Sequence, residues 1–167
     1  MKHKADMNAM DDQGSTALHA AVRAGHTDVV RKLLSHPAVR PDAANAQGET
    51  PLHALARYPK ESSVAILEAL FPRLGGEINP QDEQGGTPLY HAYCNGSAAL
   101  CRGLVMNGGH LGIPNKQGGS CFDVQVPSKA LLHRLLGMIP RELPWVDAPN
   151  CQVCDHKFGV STRKHHW

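Results

Sequence analysis

The sequence has no long hydrophobic run, few aromatic residues and almost no net charge. Its apolar runs are only a few residues long and residues 1–10 are polar, so neither a membrane span nor a secretory signal is predicted. The five cysteines are an odd number in a chain without a signal peptide, which favours thiols in a reducing cytosol over a disulfide framework. With 167 residues, these absences favour one soluble cytoplasmic domain plus an appendage.

The net charge of +2 lies entirely in the last part of the chain. Residues 151–167 contain three basic residues and one acidic residue, so residues 1–150 carry 14 of each sign. A neutral body lacks the positive surface that binds nucleic acid, and no nucleic-acid partner is predicted. The sequence also shows no activated serine or cysteine nucleophile, no paired carboxylates and no phosphate-binding glycine loop, so no enzyme activity is predicted.

The sequence repeats itself four times. A Gln-Gly pair recurs at glycine spacings of 34, 37 and 33 residues, followed at fixed distances by a hydroxyl residue and a large apolar residue. The three sets are Gly14, Gly48, Gly85 and Gly118; Thr16, Thr50, Thr87 and Ser120; and Leu18, Leu52, Leu89 and Phe122. Glycine permits the positive φ of a tight turn, and a hydroxyl residue is a favoured helix N-cap. Each unit is therefore predicted to begin with a turn and continue into a helix.

A second helix is predicted in every unit from apolar residues at helical spacing. In the second unit, Pro59 is expected to end the first helix, and in the fourth, Pro127 shortens it. The predicted apolar faces are Val29, Val30, Leu33 and Leu34; Ile66, Leu67, Leu70 and Phe71; Leu100, Cys101, Leu104 and Val105; and Leu131, Leu132, Leu135 and Leu136.

The segment "GSTALHAAVRAGHTDVVRKLL" (14–34) resembles an ankyrin repeat, and "GETPLHALA" (48–56) and "GGTPLYHAYCNG" (85–96) are similar to it. The resemblance implies an all-α ankyrin-repeat solenoid of about four helix–turn–helix repeats. We assign residues 1–10 to part of a preceding repeat and the four repeats to residues 11–41, 42–78, 79–114 and 115–139. The first repeat lacks a polar cap, so we expect the chain to be a segment of a longer array, with Leu18, Val22 and Val30 partly facing a missing neighbour.

The ankyrin resemblance implies recognition of protein partners through the turn tips and the first helices. The expected contacts on the first helices are Arg23, Arg57, Tyr58, Tyr93 and Asn95. The expected tip contacts are Asp12, Gln13, Gln47, Glu83, Gln84, Lys116 and Gln117. His19 and His53, at the start of first helices, are expected to be structural histidines rather than metal ligands.

Residues 140–150 read as a proline-rich linker, and Cys151-x-x-Cys154 follows it. This pair has three interpretations: a redox dithiol, two ordinary thiols, or half of a zinc site. A redox dithiol needs a thioredoxin-like βαβ setting, which these repeats do not provide. A local zinc site that adds His156 and either His165 or His166 is a further alternative.

The stretch "WVDAPNCQVCDHKFGVSTRKHH" (145–166) resembles the opening of a FYVE zinc finger. The resemblance assigns Cys151 and Cys154 as two zinc ligands, and Arg163, Lys164, His165 and His166 as the contacts for phosphatidylinositol 3-phosphate. Trp167 stands where the family has its third cysteine, so residues 151–167 correspond to a truncated finger. Two thiolates leave zinc without half of its tetrahedron, and we expect zinc occupancy to be poor in this chain.

Ankyrin repeats joined to a FYVE finger resemble the family of ankyrin-repeat and FYVE-domain-containing endosomal proteins. This implies a non-enzymatic scaffold that is cytoplasmic and peripheral on early endosome membranes. Its protein partners would include Rab-type GTPases, and its lipid partner would be phosphatidylinositol 3-phosphate. The alternative is a soluble cytosolic ankyrin module with no membrane function, and a thiol-redox enzyme using Cys151 and Cys154 is a third hypothesis.

Overall fold

The structure, a computed structural model, describes residues 6–124 and 129–137. Its helices are short and follow one another in pairs, as the repeat period predicts. In chain order they are α1 (Ala17–Ala24), α2 (Thr27–Leu34), α3 (Pro51–Arg57), α4 (Ser63–Leu74), α5 (Pro88–Cys94), α6 (Ala98–Met106) and α7 (Lys129–Leu136). Within those ranges no β-strand forms, and one isolated antiparallel bridge joins Met10 and Thr16.

The helices stack in two layers. The inner helices α1, α3 and α5 pack in that order against one another, and the outer helices α2, α4, α6 and α7 do the same. Burial runs continuously through the stack, because each unit covers the apolar face of the next. The most deeply buried large side chains are Leu18, Leu52, Leu55, Ile66, Leu67, Leu70, Leu89, Leu100, Leu104, Leu111 and Leu135.

The inner helices begin at the predicted hydroxyl residues. Thr16, Thr50 and Thr87 all have extended backbones with φ between −86° and −91° at the N-cap position. The Thr16 N–H donates to Nδ1 of His19 over 3.1 Å, and Oγ1 of Thr87 accepts from the N–H of Tyr90 over 3.1 Å. The α3 helix ends at Arg57, two residues before Pro59, as predicted.

The four predicted tip turns are present and are built in the same way. Gly14, Gly48, Gly85 and Gly118 have φ of 70°, 71°, 77° and 80°, which is the left-handed region that glycine tolerates. Adjacent tips are joined by a backbone ladder: N–H groups of Ala46, Glu83 and Lys116 donate to carbonyls of Gln13, Gln47 and Gln84 over 2.9–3.0 Å. The ladder holds the tips at a fixed spacing.

The second unit has one cross-brace that the repeat pattern does not predict. Helix α4 has 12 residues and continues through Pro72 to Leu74, whereas the outer helices α2 and α6 have 8 and 9 residues. Arg73 lies in this additional part of α4. The Arg73 guanidinium donates to the carbonyls of Leu34 and Val39 in the first unit, the latter over 3.2 Å. Arg73 thereby satisfies a carbonyl that the end of α2 leaves without a helical partner.

Three expectations about exposure are wrong. Leu18, Val22 and Val30 are 1%, 0% and 0% exposed, so they do not face an open edge; Val29, expected on the same apolar face, is 48% exposed instead. In the fourth unit, Phe122 is 40% exposed and Cys121 takes the buried position at 1%. The side chain of Asp123 accepts from N–H and Oγ–H of Ser120, which makes a local turn where the other units begin a helix.

Candidate functional site

The exposed residues of α1, α3 and α5, together with the tip turns before them, form one surface, here called the inner-helix surface. All seven tip residues predicted to contact a partner are exposed there. They are Asp12, Gln13, Gln47, Glu83, Gln84, Lys116 and Gln117. The ladder holds the backbones of the tips, and the side chains of two neighbouring tips are also in contact, since Nε2 of Gln47 donates to Oε1 of Gln13 over 3.5 Å. Such preorganisation lowers the entropy cost of binding.

Four of the five predicted inner-helix contacts are also exposed, and three of them are Arg23, Arg57 and Tyr58. Arg23 lies in α1, and Arg57 and Tyr58 lie at the end of α3, with Tyr58 47% exposed. Nε of Arg57 contacts Oε1 of Glu49 at 2.9 Å, and Glu49 directly precedes Thr50, the N-cap residue of α3. The Arg57 side chain is 39% exposed and that of Glu49 13%. Arg57 is therefore partly neutralised before any partner arrives.

Two of the predicted contacts, the exposed Asn95 and the buried Tyr93, have structural roles. Tyr93 is 4% exposed and packs in the core, so its assignment to the partner surface is corrected. Asn95 is at the surface, but its Nδ2 donates to the carbonyls of Ala56 (3.0 Å) and Arg57 (3.1 Å). Asn95 thus caps the end of α3 from the next unit, because those terminal carbonyls have no helical partner.

The predicted structural histidines each join two units. Nδ1 of His53 accepts from the N–H of Thr50 over 3.1 Å, and its Nε2 contacts the carbonyl oxygen of Gly86 over 3.0 Å. His19 makes the same pair of bonds to Thr16 and to the carbonyl of Glu49 (2.9 Å). Burial lowers the pKa of both rings, that of His53 to about 4. These bonds confirm that both histidines are structural.

A buried Asp82–His91 pair connects the third tip to α5, and the sequence reasoning missed it. Oδ2 of Asp82 lies 2.7 Å from Nε2 of His91, and Oδ1 accepts from the N–H groups of Gln84 and Gly86. Burial alone would raise the pKa of Asp82, but the hydrogen bonds from His91 and the backbone lower it below its ordinary value. A Cβ on Gly86 would lie 2.6 Å from Nε2 of His91, so the double glycine at 85–86 was the available signal.

The three described cysteines are free thiols and behave as core residues. Cys101 and Cys121 are 0% and 1% exposed, and burial raises the pKa of each to about 12. Cys94 is half-buried, and burial raises the pKa of its thiol too. A protonated thiol is a poor nucleophile and a poor metal ligand.

Residues 6–124 and 129–137 contain no group of three or more His, Cys, Asp and Glu side chains placed to hold a metal ion. No helix in this part of the chain is long and apolar enough to cross a membrane. The predicted zinc ligands and lipid contacts all lie outside the described residues. They are Cys151, Cys154, Arg163, Lys164, His165 and His166.

Comparison with known proteins agrees with the repeat architecture. Residues 1–82 match the family model described as ankyrin repeats (3 copies). The chain also resembles the probable 26S proteasome regulatory subunit p28 of Saccharomyces cerevisiae, with 33% identity over 123 residues, which are 72% of this chain and 52% of that protein. Residues 1–82 therefore match ankyrin repeats, and the stacked helices in the part that the structure describes are consistent with an all-α ankyrin solenoid.

Two relatives are similar to this chain over most of its length. Rabankyrin-5 of Mus musculus is 45% identical over 148 residues, and Rabankyrin-5 of Homo sapiens is 42% identical over 143 residues. These alignments cover 87% and 85% of this chain. The chain spans only about an eighth of the length of these relatives, 13% and 12%. The chain is thus similar to one region of Rabankyrin-5.

Proposed function

We propose that this chain is a non-enzymatic protein-interaction module of an endosomal trafficking protein. The observation that carries the proposal is the 42–45% identity to Rabankyrin-5 across 85–87% of the chain, which extends the similarity beyond a generic repeat. The exposed tips and the exposed Arg23 and Tyr58 support binding through the inner-helix surface. Tyrosine and arginine are the residue types that dominate binding energy in protein interfaces.

The proposed protein partners are Rab-type GTPases, and the proposed site of action is the cytoplasmic face of the early endosome. A direct test measures binding of this chain to a panel of Rab-type GTPases loaded with GDP or with a non-hydrolysable GTP analogue. Binding of one GTP-loaded member is expected to weaken about tenfold or more in Tyr58→Ala, because an exposed aromatic side chain at an interface typically contributes this much.

Val64→Ala is the matched control, since Val64 is 39% exposed but lies on the outer helix α4. It should leave the affinity unchanged. Equal weakening by both substitutions would place the interface elsewhere, and no binding to any member of the panel would reject Rab-type GTPases as partners of these repeats.

For residues 151–167 we propose a FYVE-type role. Cys151 and Cys154 would supply two thiolates to a zinc ion, which would hold the finger together when its ligand set is complete. Arg163 would bind the lipid 3-phosphate with two parallel hydrogen bonds, and Lys164 would add a point charge. His165 and His166 would donate further hydrogen bonds to the phosphate oxygens. The support is the motif combination in the sequence and the three-to-one excess of basic over acidic residues there.

The 167-residue chain itself is expected to bind anionic vesicles weakly and without selecting the 3-phosphate. Two thiolates do not close a zinc site, so the cationic side chains would lack fixed geometry, while each Lys or Arg near an anionic surface still contributes about 1 kcal/mol. The measurement is co-sedimentation with vesicles that contain the 3-phosphate, 4-phosphate or 4,5-bisphosphate lipid, at low and physiological salt, beside a zinc assay.

The control is a shortened protein that contains residues 1–139. It should lose vesicle binding. It should keep the helical circular dichroism spectrum, because the stability of a repeat protein is a sum of terms for each repeat and its nearest neighbours. A clear preference of the full chain for the 3-phosphate, with one zinc bound per chain, would contradict the expected loss of selectivity. Vesicle binding by residues 1–139 would instead favour a membrane contact made by the repeats.

A further inference from the structure

The inner helices of the first and second units carry an arginine at the same register position. Arg23 and Arg57 each lie seven residues after the capping threonine of their helix, and in α5 the position is Cys94. In the second unit, Glu49 stands directly before the threonine and contacts Arg57 at 2.9 Å. The first unit has Ser15 in place of that glutamate. Arg23 is exposed and makes no ion pair with any residue in the ranges 6–124 and 129–137.

A lysine from the second unit lies against the end of α1. The helix end that it contacts is two residues after Arg23 in the sequence. The side chain of Lys60 packs on Gly25, where an added Cβ would lie 3.2 Å from its Cγ. The loop is held there by Ser62, whose Oγ–H donates to the carbonyl of Gly25 over 2.8 Å. Lys60 is also exposed and, like Arg23, forms no ion pair in the described part of the chain.

An exposed aromatic residue lies in the chain between two of these cations. Tyr58 is 47% exposed at the end of α3, between Arg57 and the loop that carries Lys60. We call Arg23, Arg57, Tyr58 and Lys60 the arginine patch. Two carboxylates lie beside it: Glu49, which already pairs with Arg57, and Glu61, which is exposed in the loop. The patch therefore has three cationic side chains against two carboxylates, together with an exposed aromatic residue.

We propose that the arginine patch receives an acidic segment of the bound protein, with an Asp or Glu carboxylate on Arg23 and an apolar side chain on Tyr58. This rests on the proposed function as an interaction module and specifies its partner's chemistry. A guanidinium matches a carboxylate with two parallel hydrogen bonds, so an arginine without an internal acid is suited to accept one from a partner. An exposed cation without an ion pair contributes little to folding, which leaves Arg23 free for this role.

The test is selection from a random 16-residue peptide library displayed on phage, with the full chain as bait, followed by affinity measurement on synthetic peptides. Selected peptides should be enriched in Asp and Glu over the library. Arg23→Gln should weaken the affinity for these peptides about tenfold, which is the scale of one charge-assisted hydrogen bond. Arg31→Gln is the matched control, an exposed arginine of the same unit on the outer helix α2, and should change nothing.

A charge exchange completes the design. Arg23→Glu should lose binding to the acidic peptides and recover it when the critical Asp or Glu of the peptide is replaced by Lys. Both variants should melt at the wild-type temperature. The assignment of an acidic partner would be overturned if the selected peptides were not enriched in Asp and Glu. It would also be overturned if Arg23→Gln and Arg31→Gln weakened peptide binding equally. Either result would leave the proposed interaction module intact. Failure to select any peptide would overturn both proposals.

Discussion

Gly85→Ala is expected to destabilise the protein much more than Gly118→Ala, although both glycines occupy the same position of a tip turn. Their φ angles are 77° and 80°, so an alanine at either place adopts a left-handed backbone at a cost of about 1–2 kcal/mol. The surroundings differ. A Cβ on Gly85 would lie 2.7 Å from the backbone nitrogen of Lys116, whereas none of the described atoms lies within 4 Å of a Cβ on Gly118.

The clash at Gly85 involves backbone and cannot be relieved by a rotamer change. The tip of the fourth unit must move away, which breaks the bond from the Lys116 N–H to the carbonyl of Gln84. We expect Gly85→Ala to cost about 2 kcal/mol more than Gly118→Ala, the scale of a lost and unsatisfied backbone hydrogen bond. Urea unfolding followed by far-ultraviolet circular dichroism measures both values.

Gly48→Ala is an internal check on this explanation, because a Cβ there would lie 2.9 Å from the backbone nitrogen of Glu83. It should behave like Gly85→Ala. If alanine at Gly48, Gly85 and Gly118 reduced the free energy of unfolding equally, the backbone dihedral alone would explain the requirement for glycine. The close approach of the tips would then be irrelevant.

Acidification from pH 6.5 to pH 4 is expected to remove about 3 kcal/mol of stability through His53 alone. The fold holds this ring neutral: Nδ1 accepts from the N–H of Thr50, so the proton is on Nε2, which donates to the carbonyl of Gly86. Burial lowers its pKa to about 4, below the ordinary 6.5. The unfolded chain therefore takes up the proton first as pH falls, and stability is full above pH 6.5 and lost progressively towards pH 4.

His19 and Asp82 act in the same direction. The pKa of His19 is lowered by burial, and that of Asp82 is lowered, against the effect of burial, by the His91 and backbone hydrogen bonds. A histidine or a carboxyl whose folded pKa is depressed loses its stabilising effect as pH falls. Urea unfolding at pH 7, 6, 5 and 4.5 should show a continuous decrease in the free energy of unfolding.

His53→Gln separates the contribution of this ring from the others. The variant should be less stable at pH 7, because the bonds to Thr50 and Gly86 are weakened, but its stability should fall less between pH 6.5 and 4. The same pH slope in the variant and the wild type would show that His53 does not titrate in this range, whatever the variant's stability at neutral pH.

The sequence alone determined the repeat, its turns and its helix starts. A glycine with positive φ, a threonine before a helix and a proline after one act on the local backbone, so Gly14, Thr50 and Pro59 have their predicted roles. The apolar spacing also identified most of the core, since one face of each helix must be covered by a neighbouring unit.

Only the tertiary structure decided how individual side chains are used between units. Tyr93 and Asn95 have the residue types of a binding surface, yet one is buried and the other caps α3, because the adjacent unit lies where a partner was expected. Within the third unit, the Asp82–His91 pair spans nine residues, and its partners meet because Gly86 leaves room for the imidazole. The positions of Tyr93 and Asn95 depend on how closely the stacked units approach one another, which the period of a repeat does not encode.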